Sequence, residues 1–237
     1  MKTVLITGAN SGIGKALVIK YVQEGYQVIL ACRDDDKARD VIHEVREIHS
    51  GARVVSVCLD LSSFESVSNC IMQLEKIGIK PQVLILNAGI HMPYRVILTK
   101  DKQELQYQTN FLSALLVTLR MLTQPCGQNI EQIVYVSSQA HHVARFPIPT
   151  LVGFWYRYAL SKFDATAAFL MLAKRYPRLD VRILSPGGVL SNVHRNKPWI
   201  LQLMNRYIGK KKSAPRIRQS LSLLSATVRK IVRSIGI

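Results

Sequence analysis

Short apolar runs alternate with longer amphipathic segments along nearly the whole chain. The compact runs Thr3–Thr7, Gln27–Ala31, Arg53–Leu59, Gln82–Leu86, Gln132–Val136 and Asp180–Leu184 predict six strands. Between them, Gly12–Glu24, Lys37–His49, Phe64–Ile77, Lys102–Thr123 and Trp155–Arg175 carry the spacing of helices. Ser62 or Ser63 is placed to cap the third helix, and Gly25 and Gly78 stand where helices should stop. Crossovers of this length join parallel strands and lay helices on both faces of the sheet. The expected fold class is α/β: a doubly wound parallel sheet in three layers, α/β/α. One domain, 1–237, is expected, with a core over 1–190 and a basic C-terminal region over 191–237.

In such a sheet, ligands bind outside the carboxyl ends of the strands, and the polar residues gather there. Thr7-Gly8-Ala9-Asn10-Ser11-Gly12-Ile13-Gly14 follows the first strand. A glycine turn leading into a helix N-terminus suits the pyrophosphate of a dinucleotide, through free backbone N–H groups and a favourable dipole. Gly8 permits the turn, Gly12 lets the backbone approach phosphate, and Gly14 lets the helix pack closely. Asn10, Ser11 and Ile13 complete the loop. The spacing is G-x-x-x-G-x-G, which a plain turn could also show. Arg33 follows the second strand, Asp60-Leu61 the third, Asn87-Ala88-Gly89 the fourth, Ser137-Ser138 the fifth and Pro186-Gly187 the sixth. Arg33 offers a fork of donors to a 2′-phosphate, while Asp34-Asp35-Asp36 reads as the acidic first turn of a helix. The cofactor favoured is therefore NADP(H), with NAD(H) as the alternative.

Tyr158 and Lys162 lie four residues apart on one helix face. A neighbouring ammonium is expected to lower the phenol pKa toward neutrality and make a proton donor and acceptor. The spacing alone is weak, since Tyr207 and Lys211 repeat it; position after Ser138 and before the last strand singles out Tyr158. Ser138 could steady a substrate oxygen, or simply close a strand-end turn. Asn110 interrupts an apolar helical run, which fits either a functional amide or a hydrogen-bonded core amide.

Composition narrows the field. Hydrophobic residues make up 48% of the chain, as a sheet buried on both faces requires. Cys32, Cys58, Cys70 and Cys126 show no C-x-x-C spacing and read as reduced core residues of an intracellular protein. The six histidines form no ligand cluster, so no metal site is expected. With the first strand beginning at Thr3, no signal peptide is expected, and no apolar run is long enough to span a bilayer. A cytoplasmic or peripherally membrane-associated protein is expected. The net charge is +17, and after Asp180 come 12 Lys or Arg residues and no acid.

Taken together, the glycine turn, Asp60, Asn87-Ala88-Gly89, Asn110, Ser138, Tyr158 with Lys162, and Pro186-Gly187 through Ser191 resemble the short-chain dehydrogenase/reductase family over roughly residues 2–195. Leu30-Ala31-Cys32-Arg33-Asp34, Ser137-Ser138-Gln139-Ala140-His141 and Ser191-Asn192-Val193-His194-Arg195 resemble its retinol-dehydrogenase and WW-domain-containing-oxidoreductase branch; no WW domain is present. The resemblance implies a Rossmann-type fold and a hydride transfer in which Tyr158 exchanges a proton with the substrate oxygen. It implies that Lys162 holds the nicotinamide ribose and tunes Tyr158, that Ser138 orients the substrate oxygen, and that Asn110 holds a water in a proton relay. Asp60 with Leu61 would contact adenine, Asn87, Ala88 and Gly89 the adjoining ribose region, and Pro186, Gly187, Val189 and Ser191 the nicotinamide side. Three features depart from the family pattern. Asn110 is followed by apolar residues, Phe146-Pro147-Ile148-Pro149 lengthens the Ser138–Tyr158 interval, and no candidate for the usual seventh strand precedes Ile237. A missing edge strand is expected to weaken the sheet and uncover the substrate side.

Ile217, Leu221, Leu224, Val228, Ile231 and Ile235 form an apolar stripe with Arg216, Arg218, Arg229, Lys230 and Arg233 mostly elsewhere around the helix. This stripe either packs on the sheet or meets an anionic membrane. The partners expected are a small lipophilic substrate and, through the basic region, a membrane surface, with a homodimer left open. The reading preferred is an NADP(H)-dependent oxidoreductase of retinoid-, steroid- or lipid-like alcohols or carbonyls. A nucleotide-binding scaffold without turnover competes with it. Nucleic-acid binding by the basic tail lacks any recognisable module and is not expected.

Overall fold

A computed structural model describes residues 1–91, 96–145 and 153–186, all within the compact unit Met1–Val189. Its strands are β1 (Thr3–Thr7), β2 (Gln27–Cys32), β3 (Val54–Cys58), β4 (Val83–Leu86), β5 (Gln132–Val136) and β6 (Asp180–Leu184). Its main helices are α1 (Gly12–Gln23), α2 (Asp35–Ile48), α3 (Phe64–Ile77), α4 (Leu105–Tyr107), α5 (Ser113–Thr123) and α6 (Gly153–Arg175). The six strands form one parallel sheet in the order β3-β2-β1-β4-β5-β6. The order reverses on either side of β1, so the crevice for a ligand opens between the carboxyl ends of β1 and β4.

The central strands are built to be covered on both sides. Val4, Leu5 and Ile6 of β1 and Val28, Ile29 and Leu30 of β2 are fully buried, without the alternation of a half-exposed strand. Strand β6 is last in the order of the described strands and alternates, with Leu184 half exposed. Helix ends follow their local chemistry. Asp34 caps α2 by accepting from Lys37 N at 3.1 Å. Ser63 caps α3 by accepting from Ser66 N at 3.2 Å, and Gly78 ends it in the left-handed conformation, φ 68°.

One expected element is different. The segment 102–123 is not a single α-helix: α4 begins at Leu105, and Gln108–Leu112 forms a π-helical turn before α5. Every residue from Gln108 to Thr118 is buried. With no solvent-facing side, the sequence holds no polar stripe whose phase would reveal the inserted residue. The four cysteines are free thiols, and burial pushes Cys32 up to about 11 and Cys70 up to about 12. Thiols so disfavoured as thiolates are poor nucleophiles.

Candidate active site

The glycine turn closes only because its glycines lack side chains. Gly8 has φ +64°, and a Cβ there would come within 2.9 Å of Ala88 Cα. A Cβ on Gly14 would strike the Gly8 carbonyl and lie 2.7 Å from Asn87 Nδ2. Gly12 has φ +53°. Ser11 and Gly12 are exposed at the start of α1, and the Ser11 side chain makes no capping hydrogen bond. This leaves the first N–H groups of a three-turn helix facing outward, the environment that favours a phosphate. Ala9 is buried; Asn10 and Ile13 are half-buried.

The end of β4 is tied to this turn. Thr7 Oγ1 accepts from both Asn87 N and Ala88 N, each at 3.0 Å. Asn87 Nδ2 donates to the carbonyls of Thr7 at 3.0 Å and Gly8 at 3.3 Å. Asn87 therefore braces the turn from across the crevice. Arg33 is exposed at the carboxyl end of β2. Beyond β3, Asp60 Oδ1 accepts from Ser62 N and Ser62 Oγ, and Leu61 is buried. Pro186 is exposed beyond β6; Gly187, Val189 and Ser191 lie outside the described residues, as do Phe146–Pro149 and 191–237.

On the other wall, Lys162 is only 4% exposed. Its ammonium donates to Val136 O at 2.9 Å and sits 5.1 Å from the centre of the Tyr135 ring. Burial pushes it down to about 8. Gly89 faces it: a Cβ there would be 3.3 Å from Lys162 Nζ and 3.2 Å from Asn110 Oδ1. Tyr158 is hydrogen-bonded to Ser138, and its ring packs against His91 with centroids 4.7 Å apart. Ser138 Oγ also accepts from Ala140 N at 3.3 Å, and His141 Nδ1 bonds the Ser138 carbonyl.

The expected lowering of the Tyr158 pKa is not what the site shows. Burial raises it above the ordinary phenol value, and the Ser138 hydrogen bond only opposes that rise. The Lys162 ammonium is itself desolvated and turned to the Val136 carbonyl. At neutral pH the phenol thus keeps its proton, which suits an acid more than a base.

Asn110 lies in the π-turn and is fully buried. Its Oδ1 accepts from Ile90 N at 2.8 Å, and its Nδ2 donates to Ile90 O at 2.9 Å and Ser161 Oγ at 3.0 Å. Its backbone carbonyl accepts from Tyr135 OH at 3.0 Å. Thr7, His91, Tyr135, Ser161 and Thr166 were not singled out by the sequence, yet each holds a site residue in place. Thr166 does so by donating to Lys162 O at 2.7 Å and meeting Ser137 Oγ at 2.8 Å.

The residues present fit a dinucleotide. The glycine turn lets the outward-facing start of α1 pack against the end of β4, and Gly89 keeps a side chain out of the space beside Lys162. Among the described residues no cluster of acids, histidines or cysteines could hold a metal ion, and no helix is long and apolar enough to cross a membrane.

The family model described as short chain dehydrogenase matches residues 2–198. An uncharacterized oxidoreductase of Schizosaccharomyces pombe is 32% identical over 225 residues, covering 87% of this chain and 66% of its own. Human retinol dehydrogenase 11 is 33% identical over 221 residues, covering 87% and 68%. The chain thus spans about two thirds of the length of these relatives. Among solved structures, an alcohol dehydrogenase of the archaeon Thermococcus sibiricus complexed with 5-hydroxy-NADP superposes with a TM-score of 0.67 at 24% identity, over 90% of this chain and 93% of that one.

Proposed function

The chain belongs to the short-chain dehydrogenase family, in its retinol-dehydrogenase-like branch, and we propose that it interconverts a lipophilic alcohol and its carbonyl using NADP(H). The observation that carries this reading is the Tyr158 phenol, hydrogen-bonded to Ser138, on the helix whose Lys162 ammonium faces Gly89 across the crevice from the glycine turn. The turn Gly8–Gly14, with Asn10, Ser11 and Ile13, would hold the pyrophosphate. Arg33 would meet the 2′-phosphate, and Asp60 with Leu61 would border the adenine. Asn87, Ala88 and Gly89 would line the inner ribose, and Lys162 would hold the nicotinamide ribose. Pro186, Gly187, Val189 and Ser191 would complete the nicotinamide side.

When bound, the nicotinamide supplies or accepts the hydride. The chain's own residues handle the oxygen. Ser138 Oγ donates a hydrogen bond to the substrate oxygen and fixes its direction. Tyr158 Oη gives its proton to that oxygen in reduction and recovers it in oxidation. Its raised pKa keeps the proton on the phenol oxygen, where a substrate carbonyl oxygen can receive it. Lys162 supplies positive charge beside the reacting groups, sharpened by the low dielectric of its buried position. Asn110 holds the Ile90 peptide at the edge of the site.

The lipophilic substrate class is supported by the name of the human relative, retinol dehydrogenase 11, and by the apolar residues that the sequence carries over 191–237. A screen of retinoids, steroids and fatty aldehydes with NADPH and NADH tests the proposal. Carbonyl-dependent NADPH oxidation is expected for at least one apolar carbonyl. NADPH binding without turnover on any of them would instead support a nucleotide-binding scaffold.

A further inference from the structure

Ser161 stands one residue before Lys162, is fully buried, and has no part in the chemistry proposed above. Its hydroxyl donates to the Tyr158 carbonyl at 2.8 Å and accepts from Asn110 Nδ2 at 3.0 Å. The first bond alone would be an ordinary back-bond within a helix. The second reaches a residue 51 positions away in sequence, in the π-turn. Asn110 in turn grips the Ile90 peptide at both its N–H and its carbonyl, at 2.8 and 2.9 Å. Both amide protons of Asn110 are thereby used, so its orientation is fixed from three directions. An unbroken run of hydrogen bonds joins the Ile90 peptide to the backbone of Tyr158. Ile90 precedes His91, whose ring lies on the Tyr158 phenol at a 51° tilt.

We propose that Ser161 is a positioning residue for Tyr158: with Asn110 it locks the Tyr158 turn of α6 to the Ile90–His91 backbone. This rests on the reading of Tyr158 as the proton donor. The phenol is then held from two sides, by His91 against its ring and by the Ser161 link beneath its backbone. The separation between Tyr158 Oη and a carbonyl lying over Gly89 depends on that link. Reaction rates are steep in such a separation, since a displacement of about 1 Å can cost roughly a hundredfold. The π-turn has a use in the same arrangement, because it turns the Asn110 amide inward to span Ile90 and Ser161.

Ser161→Ala cuts the link and little else: alanine is the best helix former, so α6 persists. The variant is expected to lose about tenfold in kcat while the KM for NADPH stays at the wild-type value, because the glycine turn and Lys162 are untouched. Amide hydrogen exchange at Ile90 and His91 should quicken by about tenfold, with the amides of β1 and β2 unchanged. Unchanged exchange at Ile90 and His91, a uniform quickening across the sheet, or an unaltered kcat in an active enzyme each overturns the proposal. Should the wild-type chain reduce no carbonyl at all, the oxidoreductase reading fails by itself. The exchange measurement then decides alone whether Ser161 holds the two segments together.

Discussion

Gly14→Ala adds a single methyl where the first turn of α1 packs against Gly8, just beyond β1. That methyl would lie 2.9 Å from the Gly8 carbonyl carbon and 2.7 Å from Asn87 Nδ2, and closer still to the Gly8 oxygen. Ordinary contacts lie at about 3.5–4.0 Å, and the Gly8 oxygen, as the nearest atom, sets the shift, so the first turn of α1 must retreat by more than about 1 Å. The obstacle is backbone, which cannot rotate aside as a side chain can. Overpacking of this kind costs about 3 kcal/mol at the upper end of its usual range. Alanine returns at most about 1 kcal/mol through its helix preference. The net expectation is a loss of about 2 kcal/mol, read from urea unfolding at constant m. The retreat also pulls the helix N–H groups from the phosphate position, so NADPH affinity should fall at least about tenfold, equivalent to roughly 1.4 kcal/mol. Gly51→Ala is the control: nothing lies within 4 Å of its Cβ position. It should be neutral or up to about 1 kcal/mol stabilising. A Gly14→Ala chain as stable as the Gly51→Ala control, with wild-type affinity for NADPH, would refute the packing argument.

Three other perturbations test separate parts of the account. Arg33→Ala should weaken NADPH while sparing NADH in equilibrium titrations; equal losses for both would remove Arg33 from the 2′-phosphate. Lys162 sits at about 8 against 10.5 for an ordinary lysine, so between those pH values the unfolded chain binds the extra proton. Folding free energy from this group therefore improves as pH rises through that window. Compared with Lys162→Met in urea melts, the wild type should gain stability from pH 8 to 10.5, and a flat difference would contradict the burial of a charged amine. Tyr107 OH donates to Asp164 at 2.7 Å, and Asp164 is 7% exposed with its pKa raised by desolvation. Tyr107→Phe should cost about 1–3 kcal/mol at pH 7 and less at pH 5, where the unpartnered carboxyl takes up a proton more readily. An equal penalty at both pH values would show that the carboxylate does not depend on the phenol.

The sheet was legible because its central strands are buried on both faces and its apolar runs are bounded by glycines, serines and acids. Thr3–Thr7, Gln132–Val136 and Asp180–Leu184 have the bounds that the apolar runs predict. The site was legible where chemistry forces residue type, as at Gly8 and Gly14, whose Cβ positions are occupied by other atoms. It was illegible where support comes from across the fold. Thr7 serves Asn87 and Ala88 from 80 and 81 residues away, and Ser161 serves Asn110 from 51. No local spacing announces such bonds. The one available signal was Asn110, a lone amide in an apolar run. The phenol's electrostatics are hidden from the sequence for a related reason. Four-residue spacing sets a cation on the same helix face, but the burial that raises the phenol belongs to the assembled site.

The central claim is that Tyr158 Oη exchanges a proton with the substrate oxygen. Tyr158→Phe removes that oxygen and leaves the Lys162 bond to Val136 O and the glycine turn as they are. With NADPH and an apolar carbonyl substrate, turnover is predicted to fall by about a thousandfold while NADPH binds with wild-type affinity. Turnover by the phenylalanine chain at a rate close to the wild type would contradict the account.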